Sequence, residues 1–285
     1  MTEQVMAAID GSQFSEGVCD YAVWASQALE TPLTFLHVVD NRSQTTQQHN
    51  LSGNLKLGAR EKLLKELSDL DEQRAKVSRE QGRLMLEAAQ ARAVEDGVTT
   101  SATRQRNGTL VETLVELEDD VRLLVVGKRG EAGHQASGHL GSNLERVVRE
   151  MHRPILMVPQ TFKRPETVMM AFDGSKTARK GIEMLARSPL FQGIACHVVI
   201  VGASTAEYNS QLEWALAILR NAGHEAQGVI RAGDVEETLS NYQQEQGIDL
   251  LVMGAYGHSR IRHLLVGSTT TAMLRNSKVP VLLLR

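Results

Sequence analysis

The sequence predicts an α/β protein built from two tandem, doubly wound domains, each with a parallel sheet of five strands. Short apolar runs typical of buried strands alternate with segments of helical periodicity, and this alternation favours parallel sheets covered on both faces. The sequence also contains an internal repeat, since Asp10-Gly11-Ser12 after the first apolar run recurs as Asp173-Gly174-Ser175 after a later one. A length of 285 residues suits about two domains.

Composition excludes several classes of protein. Hydrophobic residues make up 42% and charged residues 23% of the chain, a balance typical of globular proteins. The net charge of −3 gives no basic footprint for nucleic acid. The two cysteines, Cys19 and Cys196, are far apart and in no metal-type spacing, which argues against a disulfide framework or a zinc site. Because there is neither a secretory signal nor a long apolar run, we expect a cytoplasmic protein without membrane contact.

The repeat sets the expected domain boundaries. Asp10 maps to Asp173 at an offset of 163, whereas the later blocks, such as Gly141-Ser142 with Gly267-Ser268, match at offsets of 125 to 127. A stretch with two prolines and two basic residues, at positions 159–165, suits a surface linker. We therefore expect a first domain over residues 1–160 and a second over residues 161–285.

Each domain is expected to run strand, helix, strand, helix. The first apolar run, residues 5–9, stops at Asp-Gly and is expected to be a buried strand. The further strands of the first domain are predicted at 33–39, 101–106, 123–127 and 155–158, and its helices at 16–29, 110–118 and 142–151. The second domain is predicted to have strands at 168–172, 197–201, 226–231, 250–253 and 281–284, and helices at 180–186, 211–222, 235–246 and 268–277.

The first domain carries about 37 extra residues between its second strand and the following helix. This insert, at about 45–96, contains no proline and is highly charged, which predicts a long helix. Apolar residues recur every seven positions, and two of the four intermediate positions are apolar as well. The heptad positions are Leu63, Leu70, Val77, Leu84 and Ala91, and the intermediate positions are Leu67, Arg74, Gln81 and Ala88. One interpretation is a protruding coiled-coil-like arm for self-association or a partner, and the other is an amphipathic helix that covers its own sheet.

A ligand site is expected where the strands of an open parallel sheet end. In the second domain, Asp173 and Val201 lie at the ends of the first two strands, and Gly254-Ala-Tyr256-Gly257 ends the fourth. Gly267-Ser268-Thr269 then opens a helix, where free amides and hydroxyls favour an anion such as phosphate. An acidic group such as Asp173 is suited to a ribose hydroxyl, or to Mg²⁺ held through water.

The spacing of these glycines resembles the ATP-binding motif of the universal stress protein family. Gly254, Gly257, Gly267 and Ser268 match the pattern of two glycines three apart, then nine residues, then Gly-Ser or Gly-Thr. The resemblance covers both halves of the chain and implies a Rossmann-like fold of the adenine nucleotide alpha hydrolase type. It implies that ATP or AMP binds with its ribose at Asp173, its adenine near Val201, and its phosphates among Gly254, Tyr256, Gly257, Gly267, Ser268 and Thr269.

The first copy departs from this motif by one residue. Gly127 and Gly130 have the expected spacing, but ten residues separate Gly130 from Gly141-Ser142. Asp10 and Val38 stand in the places of Asp173 and Val201. We therefore expect the nucleotide mainly in the second domain, with a second site at Asp10, Val38, Gly127, Gly130, Gly141 and Ser142 that depends on a bulge in the longer loop.

Other chemistry has little support in the sequence. There is no Walker A loop, no G-x-S-x-G nucleophile elbow and no histidine pair with metal-ligand spacing, so we name no catalytic and no metal-binding residue. Ser12 and Ser175 are interpreted as helix N-caps, and Trp24 and Trp214 as core residues. His37 and His197 are interpreted as packed or edge residues.

Three functions remain open. The first is a stress-response regulatory protein that binds an adenine nucleotide and changes its affinity for a partner. The second is a slow ATP hydrolase or an autophosphorylating protein, and the third is a partner-binding scaffold whose nucleotide sites have decayed. The resemblance also implies that two such domains pair through their last strands, here Ile155–Val158 and Val281–Leu284, and a homo-oligomer is expected as well.

Overall fold

The computed structural model describes residues 3–39, 57–128, 142–255 and 268–285. Ten strands form one sheet through these ranges. The strands are β1 (Gln4–Ala8), β2 (Leu33–Val39), β3 (Ser101–Asn107), β4 (Val121–Gly127), β5 (Ile155–Val158), β6 (Thr167–Ala171), β7 (Ala195–Val201), β8 (Ala226–Arg231), β9 (Leu250–Gly254) and β10 (Val281–Leu284).

Eight α-helices lie between these strands in the described part of the chain. They are α1 (Ser15–Leu29), α2 (Leu57–Glu95), α3 (Leu110–Glu116), α4 (Ser142–Glu150), α5 (Lys176–Arg187), α6 (Ala206–Asn221), α7 (Val235–Glu245) and α8 (Ser268–Asn276). None of the helices in these described ranges is both long and apolar enough to cross a membrane.

The strand order confirms the doubly wound fold. Across the sheet it reads β3-β2-β1-β4-β5-β10-β9-β6-β7-β8, so β1 to β5 and β6 to β10 follow the same order in opposite directions. Within each set every neighbouring pair is parallel. We refer to the part that carries β1 to β5 as the first half and the part that carries β6 to β10 as the second half.

The two halves meet at β5 and β10, as predicted from the last strand of each repeat. These strands pair antiparallel, with Leu156 opposite Leu282 and with Ile155 and Met157 opposite Leu283 and Val281. Since Leu156 and Leu282 are equivalent in the repeat, the pairing is symmetric about them. One sheet with an antiparallel seam therefore joins two parallel units.

The apolar core lies on both faces of the sheet, as expected where helices cover each side. One buried cluster carries residues of α1, α2, α5 and α6 against the first face, and the other carries residues of α3, α4, α7 and α8 against the second. Both clusters draw residues from both halves, so the core is continuous across the seam. Trp24 is buried in the first cluster and Trp214 packs against it, in agreement with their prediction as core residues.

The described part of the insert forms one long helix, α2, as predicted. In its C-terminal part, Leu86, Ala89 and Ala93 are buried against the sheet, whereas residues 65–74 are exposed. The guanidinium of Arg92 pairs with both carboxylate oxygens of Asp20 on α1, one of them at 2.9 Å, and ties this part to the first half. The helix thus covers its own sheet at one end and extends beyond the packed part at the other.

Side-chain caps explain where predicted helix boundaries were wrong. Helix α5 begins four residues earlier than predicted because Ser175 Oγ accepts a hydrogen bond from the N–H of Ala178, at 3.1 Å. Ser12 was also predicted as an N-cap, but α1 begins at Ser15 and Ser12 Oγ accepts only from the N–H of Phe14, at 3.3 Å. Phe14 is buried, which extends the turn before the helix starts.

The two cysteines are free and buried. Burial raises the pKa of Cys19 and of Cys196 to about 12, so both thiols stay protonated at neutral pH. A buried, protonated thiol is a poor nucleophile.

Candidate functional site

The carboxyl edge of the second half brings three predicted site residues to neighbouring strand ends. In the ladder between β6 and β7, Ala171 lies opposite Val199, so Asp173 follows level with Val201. On the other side of β6 is β9, whose last residue is Gly254. Adjacent strands lie about 4.8 Å apart, so these three residues line one short crevice. Because β7 and β9 leave β6 on opposite sides, this crevice is the switch point of the strand order.

A tight turn presents Asp173 at this edge. Its Oδ1 accepts a hydrogen bond from the N–H of Ser175 at 3.0 Å, and Gly174 has a φ of +72°, a conformation that favours glycine. Ser175 then caps α5. The Asp173 side chain is exposed, so the turn holds a carboxylate in a set position at the mouth of the crevice.

The first turn of α8 lies directly at the end of β9. The hydroxyl of Thr270 is directed at the carbonyl oxygen of Gly254, at 3.4 Å, and Thr270 is buried. The N-terminus of α8, where backbone N–H groups have no partner within the helix, is therefore adjacent to the strand end. An anion in the crevice is stabilised by such N–H groups and by the helix dipole.

The structure adds Gln211 of α6, which sequence reasoning missed. Its Nε2 donates to Glu207 at 3.1 Å, while its Oε1 is buried and has no hydrogen-bond partner among the described residues. The same Oε1 lies against Gly174, where a Cβ atom would overlap it. A buried acceptor without a partner costs about 1–3 kcal/mol. No local pattern could reveal this, because the contact depends on where α6 crosses the turn.

Arg179 of α5 is a second residue that sequence reasoning did not single out. Its Nε donates to the carbonyl oxygen of Gly174 at 3.2 Å, and its guanidinium lies 4.9 Å from the ring centre of Trp214. The Trp214 ring stacks in turn on Phe172, with ring centres 6.2 Å apart. Helices α5 and α6 therefore hold the Asp173 turn together from one face of the sheet.

The first half has the same arrangement of strand ends, but a different side chain lies over its Asp-Gly turn. Asp10 Oδ1 accepts from the N–H of Ser12 at 3.0 Å, and Gly11 has a φ of +74°. The ladder between β1 and β2 places Val38 level with Asp10, and Gly127 ends the neighbouring β4. Here the side chain of Met85 lies against Gly11, at the position that Gln211 occupies in the second half.

Two further residues of the first half are engaged in structural contacts. Lys128, which follows β4, donates from Nζ to the carbonyl oxygen of Ser277 in the second half, at 2.9 Å. His37 of β2 donates from Nδ1 to the carbonyl oxygen of Ile9, at 2.9 Å. In the second half, His197 is buried and hydrogen-bonds to Tyr242 and Gln227, so both histidines have packing contacts, as predicted.

Several predicted site residues lie outside the described residues. These are Gly130 and Gly141 in the first half and Tyr256, Gly257 and Gly267 in the second. Ser142, Ser268 and Thr269 are in the first turns of α4 and α8, but their side chains are outside the description. Within the described ranges, no group of three or more histidine, cysteine, aspartate or glutamate side chains is placed to hold a metal ion.

A cavity of about 400 Å³ lies away from this crevice. It is lined by residues of α1, of the segment before β6 and of the segment before β7, including Trp24, Arg164 and Gln192. These segments lie at the amino ends of β6 and β7. We favour the crevice as the candidate site because it combines the switch point, a carboxylate and a helix N-terminus.

Fold and crevice together place the chain among the doubly wound α/β proteins that are built from two fused copies of one unit. The model of the universal stress protein family matches residues 1–159 and 198–285, and the chain belongs to this family. Universal stress protein Slr1230 of Synechocystis sp. (strain PCC 6803) is 36% identical over 286 residues, which cover 99% of this chain and 100% of that relative.

Solved structures agree with the tandem arrangement. A universal stress protein from Archaeoglobus fulgidus superposes with a TM-score of 0.71 at 18% identity, and the match covers 100% of this chain and 99% of that one. A shorter universal stress protein in complex with cAMP covers 43% of this chain at 23% identity, with a TM-score of 0.38, and carries no argument about the ligand of this protein. The first match supports the fold.

Proposed function

We propose that this protein binds an adenine nucleotide, ATP or AMP, mainly in its second half, and that occupancy regulates its binding to a partner in a stress response. In this proposal Asp173 binds the ribose and the adenine packs near Val201. The phosphates, with Mg²⁺ where ATP is bound, lie among Gly254, Tyr256, Gly257, Gly267, Ser268 and Thr269. We also keep the proposed domain boundaries, 1–160 and 161–285.

The observation that carries the proposal is the meeting of Asp173, Val201 and Gly254 at one switch point beside the N-terminus of α8. A carboxylate suits ribose hydroxyls, and a helix N-terminus suits phosphate. Thr270 supports this arrangement, because its contact with Gly254 sets the first turn of α8 at the strand end. The glycine motif identified in the sequence begins at Gly254 and ends at Ser268, the first residue of α8.

The first half is proposed as a weaker site or as a scaffold. Its candidate residues are Asp10, Val38, Gly127, Gly130, Gly141 and Ser142. Met85 puts an apolar side chain where the second half has the carboxamide of Gln211, and Lys128 already binds a carbonyl of the other half. Both observations favour the second half for a polar ligand, and they favour a scaffold function for the first.

Calorimetric titration with ATP and Mg²⁺, and separately with AMP, tests the proposal. We expect Asp173→Ala to weaken binding about tenfold or more, since hydrogen bonds to charged groups contribute about 1.5–3 kcal/mol. Asp10→Ala is the matched control, because it removes the same side chain from the equivalent turn, and we expect little change. No heat of binding from the folded wild-type protein would contradict the proposal, as would equal losses in both variants.

The same two variants distinguish regulation from turnover. A slow hydrolase releases phosphate from ATP at a rate that falls in Asp173→Ala and not in Asp10→Ala. A regulatory protein binds the nucleotide and releases no phosphate above the level of the Asp173→Ala variant. We expect the second result, because a ligand that binds one conformation more tightly is sufficient to shift its population.

A further inference from the structure

We propose that the outer face of α2 is an interaction surface for α2 of a second copy of this chain, and that the two helices pair antiparallel. This inference does not depend on the proposed nucleotide function. It rests on the exposure, the spacing and the charge of side chains on α2. We call this surface the outer stripe and define it by Leu67, Leu70, Val77 and Leu84, with Ala88 and Ala91 beyond them.

Helix α2 has two differently patterned faces. Gly82, Leu86, Ala89 and Ala93 are buried against the first half. A Cβ atom on Gly82 would overlap His37 and Gln105, so this face approaches the sheet closely. The spacing of these residues, four, three and four, is that of an ordinary packed helix face. The contacts of the helix with its own sheet are therefore complete without the outer stripe.

The outer stripe is apolar and open to solvent. The exposed fractions are 41% for Leu67, 49% for Leu70, 67% for Val77 and 53% for Leu84. These residues are separated by three, seven and seven positions, and the seven-residue period keeps them on one seam of a left-handed coiled coil. A helix that only covered its own sheet would have no reason to repeat leucine and valine on its solvent side. Their spacing therefore points to another helix as the occupant.

Arg74 occupies an intermediate heptad position on the same face as the outer stripe. Its charge favours pairing of two copies in antiparallel orientation. In a parallel, in-register pair Arg74 would face Arg74 of the second copy, and such a like-charge contact is unfavourable. In an antiparallel pair centred between Arg74 and Val77, Arg74 faces Val77 of the second copy and lies near its Glu80. The same register places Leu67 opposite Leu84. In one copy alone, Arg74 lies 3.9 Å from Asp71, a loose pair between two well-exposed side chains.

The sheet and the helices packed on it form what we call the body of the protein. The position of the body on α2 agrees with the antiparallel orientation. The body packs on the C-terminal part of α2, from Arg79 onward, where the carbonyl of Arg79 accepts from Gln105 at 3.0 Å. Antiparallel pairing places the two bodies at opposite ends of the helix pair, whereas parallel pairing would place them side by side. The segment 67–88 is about 33 Å long at 1.5 Å per residue, so the pair is short. We expect a reversible dimer of moderate affinity.

Sedimentation of the full chain over a range of concentrations tests the interface. We expect a concentration-dependent dimer, and we expect Leu84→Glu to weaken it at least about tenfold, because each new carboxylate would be buried against Leu67 of the second copy. Ser68→Glu is the matched control, since it adds the same charge at an exposed position off the stripe. Circular dichroism verifies that both variants keep the helix content of the wild type.

Cysteine cross-linking tests the orientation. With Leu67→Cys and Leu84→Cys in one chain, oxidation is expected to give a covalent dimer, whereas Leu84→Cys alone is expected to give none. The two native cysteines are buried and do not compete. A wild-type protein that stays monomeric, a dimer unaffected by Leu84→Glu, or efficient cross-linking of Leu84→Cys alone would each overturn the proposal.

Discussion

The two halves of the molecule have the same strand order but different side chains over the same turn. In the first half the Asp10 turn is covered by Met85, and in the second half the Asp173 turn is covered by Gln211. The two covering residues are equivalent in the repeat, with an offset of 126. Their backbone settings agree, because both glycines of the Asp-Gly turns have a φ near +73°. The turn therefore has the same backbone conformation in both halves, whereas the side chain that lies over it differs.

This difference teaches that the sheet and the site are specified by different residues. Buried strand residues set the register, and most of them are apolar in both copies. The chemistry of the crevice depends on a few side chains that reach it from neighbouring helices. One of these is an apolar thioether in the first half and a carboxamide in the second. The two halves therefore share the scaffold and differ in the side chain over the turn.

The largest effect is expected at the seam, where the halves are equivalent. Leu156 and Leu282 face each other across β5 and β10, and both are buried. Leu156→Ala and Leu282→Ala are each expected to lower the free energy of unfolding by about 2–5 kcal/mol, the usual range for a buried leucine. Urea denaturation of the single and double variants measures this, and the double variant is expected to deviate from additivity because the residues are in contact. A loss from only one of them would show that the seam is not symmetric.

The next largest effect is expected where the halves differ in charge. Asp249 precedes β9, is buried and accepts hydrogen bonds from Lys163, from the N–H of Glu166 at 3.1 Å and from Thr167 at 3.2 Å. The equivalent residue of the first half, Arg122, donates to Thr31 at 2.6 Å. Asp249→Ala is expected to lower the free energy of unfolding by about 2 kcal/mol, because three donors lose a buried, charged acceptor.

Thermal or urea denaturation measures this effect, with Arg122→Ala as the control. That variant is expected to cost less, about 1 kcal/mol, since it breaks contacts that are partly exposed. If the two substitutions cost the same, the segment that joins the halves gains no special stability from Asp249.

The pH dependence of stability follows from the same carboxylate. Burial alone would raise the pKa of Asp249, but the hydrogen bonds from Lys163, Glu166 and Thr167 outweigh it and hold the pKa below its ordinary value. A lowered pKa in the folded state stabilises the protein above the unfolded pKa of about 4, and this contribution is lost as the pH falls through the folded pKa. Asp249→Asn is expected to flatten the decline in stability below about pH 4. An unchanged pH profile would contradict this assignment.

The smallest effect is expected at the anchor of α2. Arg92 pairs with Asp20, and the equivalent residue of the second half, Ile218, packs against the core instead. Arg92→Ala is expected to cost at most about 1 kcal/mol, because the arginine is partly exposed and solvent weakens the pair. Hydrogen exchange is expected to accelerate in the C-terminal part of α2 and not in α6. Equal acceleration in both helices would indicate a global effect.

The sequence predicted most of the fold because its signals are local. Strand β5 ends at the predicted residues, since a short apolar run between a proline and a proline leaves little freedom. The seam was predicted from the resemblance alone, and the structure confirms it. Ser175 caps α5 as predicted, but Ser12 does not cap α1. The same Asp-Gly-Ser sequence leads directly into a helix at Lys176, whereas Gln13 and the buried Phe14 follow Ser12 before α1 begins at Ser15.

The candidate site was only partly predictable. Asp173, Val201 and Gly254 were found from strand ends, and the structure brings them to one edge. Gln211, Met85 and Arg179 were missed, because their contacts depend on how a helix crosses a turn that is distant in the sequence. The heptad spacing of α2 predicted a long helix, but only exposure of Val77 and its neighbours showed that the stripe faces solvent.

The most direct test of the comparison is mass spectrometry of the small molecules released when freshly purified protein is denatured, with their amount per chain. The account predicts one adenine nucleotide per chain, lost in Asp173→Ala and kept in Asp10→Ala. One nucleotide that is lost in Asp10→Ala instead would contradict it. So would complete absence of a nucleotide together with no heat of binding for ATP with Mg²⁺ or for AMP.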